Sequence, residues 1–153
     1  MNQGKKATNT GQGLEKFVEQ SIKRKFPSVR VIQYSKFASL QKLSSPQYLV
    51  TGFPYANIYG GKSKTEFVMV LVNENKTMRI ECKWQQVSGS VDEKFPYMLE
   101  NMKLCKEDLV ILIVDGGGAR PTAVKWLRDQ ANKTKHVRVM NMAEFTVFMN
   151  NYQ

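Results

Sequence analysis

The run Leu109-Val110-Ile111-Leu112-Ile113-Val114 holds six apolar residues in succession. Successive side chains of a strand point to opposite faces, so a run without polar alternation has to be covered above and below. Spanning a bilayer takes ~20 apolar residues, and neither this run nor any other in the chain approaches that length. A sheet with a layer on each face is therefore required before any other element is assigned.

The flanking segments supply such layers. Leu14, Phe17, Val18 and Ile22 recur at helical spacing and predict a helix closed by Lys23, Arg24 and Lys25 before Pro27. Residues 1–11 are polar, carry Lys5 and Lys6, and read as a flexible basic arm, with one domain expected over 12–153. Residues 29–34 predict a short strand. Residues 35–64 mix Ser, Pro, Gly and aromatic side chains without a sustained period, which predicts a long loop with at most one small element, a length usually tied to function. Residues 66–72 and 77–84 are strand-like runs joined by Asn73-Glu74-Asn75-Lys76, a hairpin. A helix follows with Phe95, Met98, Leu99 and Met102 inward, Ser90 or Asp92 as its cap and Pro96 in the first turn. After the apolar run, Gly116-Gly117-Gly118 turns the chain into a helix with Val124, Trp126 and Leu127 inward. A strand over 136–140 and a helix over 143–152, with Asn141 as cap and Glu144 in a capping box, complete the order. This alternation predicts an α/β layered domain with a mixed central β-sheet flanked by helices.

The net charge of +10 implies a positive field whose commonest partner is a polyanion, nucleic acid ahead of an anionic membrane surface. No signal-peptide h-region is visible at the start, and a cytoplasmic protein is expected. Cys82 and Cys105 lack metal-type spacing and read as reduced core thiols, and His136 is the single histidine. Any metal would be held mainly by carboxylate oxygens, which points to Mg²⁺ or Mn²⁺. The three glycines lack the Lys-Ser/Thr of a P-loop and the spacing of a dinucleotide motif, and no organic cofactor is expected.

In the hairpin, an even-numbered loop fixes an odd sum for each opposed pair. If Val72 pairs with Thr77, Glu66 lies opposite Lys83 and Val68 opposite Glu81, so Glu66, Glu81 and Lys83 share a face. A step of two along a strand is ~6.6 Å and opposed positions lie ~5 Å apart, so the three charges converge. An isolated Glu-x-Lys in a strand is usually a surface ion pair worth under ~1 kcal/mol. Here Ile80, Cys82, Trp84, Phe67, Met69 and Leu71 around the charges are apolar, which fits an internal strand. Two carboxylates so placed repel, a divalent cation would satisfy both, and a neighbouring lysine would meet the attacked phosphate or the nucleophilic water.

A helix-one glutamate, a hairpin whose first strand begins with an acid and whose second ends in Glu81-Cys82-Lys83, then a helix and an apolar strand, resembles the PD-(D/E)xK nuclease superfamily. The stretches IECKWQQVSGSVDEKFPYMLENM, LVILIVDGGGARPTAVKWL and VRVMNMAEF are similar to its small bacterial and phage members. The resemblance implies a restriction-endonuclease-like three-layer domain, with Glu66, Glu81 and the Cys82 carbonyl as metal ligands and Lys83 as the catalytic lysine. It further implies that Glu15 supports a second metal or its water and that Gln85 helps place substrate. The pattern expects an Asp after Pro where this chain has Thr65-Glu66, one methylene longer.

Lys62, Lys64, Lys94 and Arg120 are placed as contacts to DNA backbone, with a solvated surface as the alternative. Phe53, Tyr55 and Tyr59 stack on bases or anchor their segment to the core. The function expected is a Mg²⁺-dependent DNA endonuclease in phage or mobile-element DNA processing or restriction, with a homodimer open. The alternatives are a Holliday-junction-type resolvase, a catalytically silent nucleic-acid-binding protein of the same fold, and a basic domain that binds a protein partner.

Overall fold

A computed structural model describes residues 3–87 and 90–153. Six strands form one sheet in the order β1 (Arg30–Gln33), β2 (Gln47–Ala56), β3 (Lys62–Leu71), β4 (Lys76–Trp84), β5 (Leu109–Asp115) and β6 (Val137–Met140). The pairings β1/β2, β4/β5 and β5/β6 are parallel, and β2/β3 and β3/β4 are antiparallel, so the sheet is mixed. The helices are α1 (Gln3–Lys25), α2 (Tyr34–Ala38), α3 (Phe95–Lys103), α4 (Pro121–Asn132) and α5 (Met142–Asn151), with a 3₁₀ turn at Ser90–Lys94 before α3.

The core lies on both faces, as the apolar run of β5 requires. Leu14, Val18 and Ile22 of α1 and Phe145 and Met149 of α5 pack on Leu49, Phe67, Met69, Met78, Ile80, Ile111 and Ile113. On the other face, α3 and α4 bury Phe95, Leu99, Met102 and Leu127 against Val110, Leu112 and Val137. On that same face Phe37 of α2 packs on Ile32, Tyr48 and Val50. The register row Ile32, Val50, Val68, Arg79, Val110, Val137 crosses the whole sheet on the α2–α3–α4 side. The result is a three-layer α/β domain of restriction-endonuclease-like architecture.

Several local expectations change. Residues 3–11, read as an arm, are helical and continuous with α1; once the turn around Leu14 is nucleated, extension costs little per residue. Met1 and Asn2 lie outside the described residues. The long loop over 35–64 is instead α2 and the ten-residue strand β2, paired with β3 from Gln47↔Leu71 to Ala56↔Lys62. Its pattern was concealed by Gly52 and Pro54. The β1 pairing stops at Gln33↔Thr51, so Pro54 sits where that side of β2 has no strand partner for an N–H. Gly52, at φ +62°, takes a left-handed conformation that re-aims the chain, and Phe53 packs on the cluster of Tyr48 and Val50 although alternation alone would put it on the opposite face.

The hairpin register is Leu71↔Lys76 to Phe67↔Ile80, shifted by two from the expected pairing. Asn75 adopts φ 51° and its N–H bonds Val72 O at 3.2 Å, so the turn occupies 72–75 and Lys76 is already strand. An even shift preserves parity, and Glu66, Glu81 and Lys83 stay on one face. The cap of α3 is Lys94, with no side-chain cap hydrogen bond, and Pro96 is in the first turn. Trp126, expected inward, is 41% exposed while Leu127 is fully buried. The capping box of Asn141 and Glu144 forms as expected.

Candidate active site

The β3/β4 ladder ends at Phe67↔Ile80, although β3 continues along β2 to Lys62 and β4 continues along β5 to the pair Trp84↔Asp115. Side chains take over where the ladder stops. Thr65 Oγ1 donates to Ile80 O at 3.3 Å, and Cys82 N–H donates to Glu66 Oε2 at 3.2 Å. The register continues to Glu66 opposite Glu81, so the opening between the strands has one carboxylate on each lip.

A cavity of ≈ 230 Å³ at this opening is lined by Glu66, Glu81, Lys83 and Lys64 from the strands and by Lys94, Tyr97 and Asn101 from the α3 side. Tyr55 of β2 forms a further wall. The sequence thus brings together Glu66, Glu81, Lys83, Lys64 and Lys94. Glu15 is elsewhere: α1 packs on the opposite face, and Glu15 lines a separate surface pocket with Gln12, Lys16, Glu19, Thr51 and Phe67. Gln85 turns its side-chain amide to Val87 O, and its backbone binds Asp115 O and Gly118 N–H. Arg120 pairs with Asp92 at 3.1 Å, and Lys62 is exposed at the start of β3, outside the cavity lining.

Sequence reasoning missed Arg79. Arg79 and Glu81 are 1% and 7% exposed, and the Arg79 guanidinium donates to Glu81 Oε1 and to Cys105 Sγ. Its Cζ lies 3.8 Å from the ring centroid of Tyr55. The signal was present, because Arg79, Glu81 and Lys83 alternate on one face just as the latter two do. Asn101 was also missed; it is 4% exposed and accepts Ile58 N–H at 2.8 Å.

The electrostatics follow from burial beside these charges. Burial raises the Glu66 pKa above the ordinary glutamate value and Glu81 pushes it the same way, while its own backbone, Lys83 and Cys82 N–H oppose. Burial works against the charge of Arg79, and the carboxylate of Glu81 more than offsets it, so that guanidinium is held protonated. Burial, then Glu81, raises the Tyr55 phenol. Burial also raises the Cys82 thiol and pushes Cys105 up to about 11, so neither is poised as a nucleophile.

The donor set suits a hard divalent cation. Arg79 occupies one oxygen of Glu81 and Cys82 N–H one oxygen of Glu66, which leaves the other oxygen of each without a partner among the described hydrogen bonds. Two carboxylates facing one cavity, one of them with a raised pKa, are what a cation would relieve. Among the described residues no three His, Cys, Asp or Glu side chains form a metal-type cluster, so Glu66 and Glu81 would need oxygens from backbone, water or substrate to complete a shell.

A mixed sheet between helical layers, opened at one ladder to expose two carboxylates and a lysine, defines the architecture of a nuclease domain. Residues 6–153 match the PD-(D/E)XK nuclease superfamily domain, and the chain belongs to that superfamily. Its members generally use divalent metal ions, and membership implies a nucleic-acid substrate. No curated protein matches the chain. No described helix is long and apolar enough to cross a membrane.

Proposed function

We propose that the protein is a Mg²⁺- or Mn²⁺-dependent DNA endonuclease that hydrolyses phosphodiester bonds in the cavity of Glu66, Glu81 and Lys83, in phage or mobile-element DNA processing or in restriction. The observation that carries this reading is the convergence of those three side chains where the β3/β4 ladder opens. Glu66 and Glu81 would hold the cation, with the Cys82 carbonyl beside them. When bound, it supplies Lewis-acid stabilisation of charge building on the phosphate. Lys83 donates hydrogen bonds to a non-bridging phosphate oxygen, a contact that strengthens as negative charge accumulates. Arg79, through its hydrogen bond to Oε1, fixes the orientation of Glu81. Lys64 and Lys94 neutralise flanking phosphates, and Lys62 and Arg120 extend the basic surface.

Cleavage of plasmid, linear and branched DNA with Mg²⁺, Mn²⁺ or EDTA tests the reading. Lys83→Ala is expected to lower the rate by about 10²–10³-fold, and EDTA to abolish it. Equal cutting by wild type, Lys83→Ala and Glu81→Gln would place the chemistry elsewhere. The engagement of Glu81 by Arg79 supports a second reading, a silent DNA-binding protein of the same fold. Wild type that binds DNA but cuts under none of these conditions would establish it.

A further inference from the structure

Tyr59 is 82% exposed, at the tip of the β2–β3 hairpin. An exposed tip of this kind is ordinarily loose, yet every backbone N–H from Asn57 to Gly61 is engaged. Asn57 N–H donates to Gly61 O and Gly60 N–H to Asn57 O, both at 2.9 Å. Tyr59 and Gly61 N–H donate to Asn57 Oδ1 at 3.0 and 3.1 Å. Ile58 N–H reaches the buried Asn101 Oδ1 at 2.8 Å, which ties the tip to α3. The Asn57 amide also donates to Ser63 Oγ at 3.0 Å, and Gly60, at φ +78°, allows the tight return.

The ring held in this way stacks on Tyr97, with centroids 5.5 Å apart and planes 20° from parallel. Tyr97 and Asn101 both line the cavity of Glu66, Glu81 and Lys83. A rigid aromatic surface therefore stands at the rim of the candidate active site, beside Lys64 and Lys94. Such a surface matches the π-face of a nucleobase whose own neighbour has been removed, whereas bases inside a duplex already have both faces covered.

We propose that Tyr59, supported by Tyr97, is a stacking platform for an unpaired base adjacent to the scissile phosphate, so that the substrate presents a single-stranded or frayed nucleotide at the cut. The inference rests on the nuclease reading and names the substrate class for that same site. Pre-formed geometry lowers the ordering cost of such a contact.

The test compares binding of a single-stranded oligonucleotide carrying 2-aminopurine with binding of a blunt duplex of the same sequence, in EDTA, so that cleavage does not enter. Tyr59→Ala is expected to weaken single-strand binding about 5- to 150-fold, the effect of one lost base–aromatic stack, and to leave duplex affinity within about twofold. Tyr59→Phe restores the single-strand affinity, and wild type but not Tyr59→Ala changes the 2-aminopurine emission. Single-strand affinity retained in Tyr59→Ala, or lost equally for both DNAs, would overturn the platform and leave Tyr59 to a protein contact or a general role. Binding of neither DNA at low salt, both in EDTA and with Ca²⁺ in place of Mg²⁺, would overturn the nuclease reading as well.

Discussion

Arg79 and Glu81 form a buried ion pair on adjacent same-face positions of β4, and a buried charge without its partner is costly. Replacing Arg79 by Met is expected to cost roughly 3–5 kcal/mol of stability, because it strands the carboxylate of Glu81. The Arg79→Met/Glu81→Met double variant should lose less than the sum of the two single changes, as urea unfolding midpoints would show. A sum that simply adds would mean that the two charges are independent. Sequence pattern placed Glu66, Glu81 and Lys83 on one face because alternation and parity are local properties of a hairpin. It could not place Glu15 or Gln85, whose positions depend on which face α1 covers and on how the chain leaves β4.

The element after β4 depends on close backbone approach. Gly118 N–H donates to Gln85 O at 2.6 Å, and a Cβ on Gly116 would lie 2.4 Å from that same oxygen, at φ +107°. Gly117, at φ +75°, has open space around it. Both Ala substitutions should carry backbone strain of about 1–3 kcal/mol, and Gly116→Ala should cost more because it also displaces the segment that follows Lys83. Thermal unfolding of the two variants would separate the contributions, and equal losses would remove the packing role. The glycine run, expected as a turn, is explained by the approach of Gln85 as a turn against the neighbouring connection. Past the C-terminal end of β6, Arg128 binds both oxygens of Glu144 at 2.8 and 2.6 Å, linking α4 to α5. That hydrogen bond, first among the causes, holds the Glu144 pKa below its ordinary value. The stabilisation is therefore complete above the unfolded pKa of about 4.3 and is lost as pH falls through the lower folded value. Wild type should exceed Glu144→Gln in Tm at neutral pH, with the gap closing in acid, while Gln keeps the capping box. A gap independent of pH would contradict the ion pair.

For the whole molecule, a net charge of +10 with Lys64 and Lys94 at the cavity should make nucleic-acid affinity salt-dependent. The logarithm of the binding constant should fall linearly with the logarithm of salt concentration, and Lys64→Ala and Lys94→Ala should each lower the slope by about one. Unchanged slopes would move the phosphate track away from this rim. Much of the architecture was legible in the chain: the apolar run of β5 demanded two covering layers, Leu14, Val18 and Ile22 showed their helical face, and Asn141 with Glu144 announced the last helix. Each is a short-range pattern whose period reports burial directly. β2 was not legible, because Gly52 and Pro54 break its alternation and only the end of the β1 pairing at Gln33↔Thr51 makes Pro54 acceptable. The charge, the layered class and the shared face of Glu66, Glu81 and Lys83 were determined by sequence alone, since composition and a period of two settle them. Where the β3/β4 ladder opens, which side of the sheet Glu15 occupies, and the seating of Tyr59 on Tyr97 were decided only by tertiary structure, because each depends on strands and helices distant in sequence meeting in space.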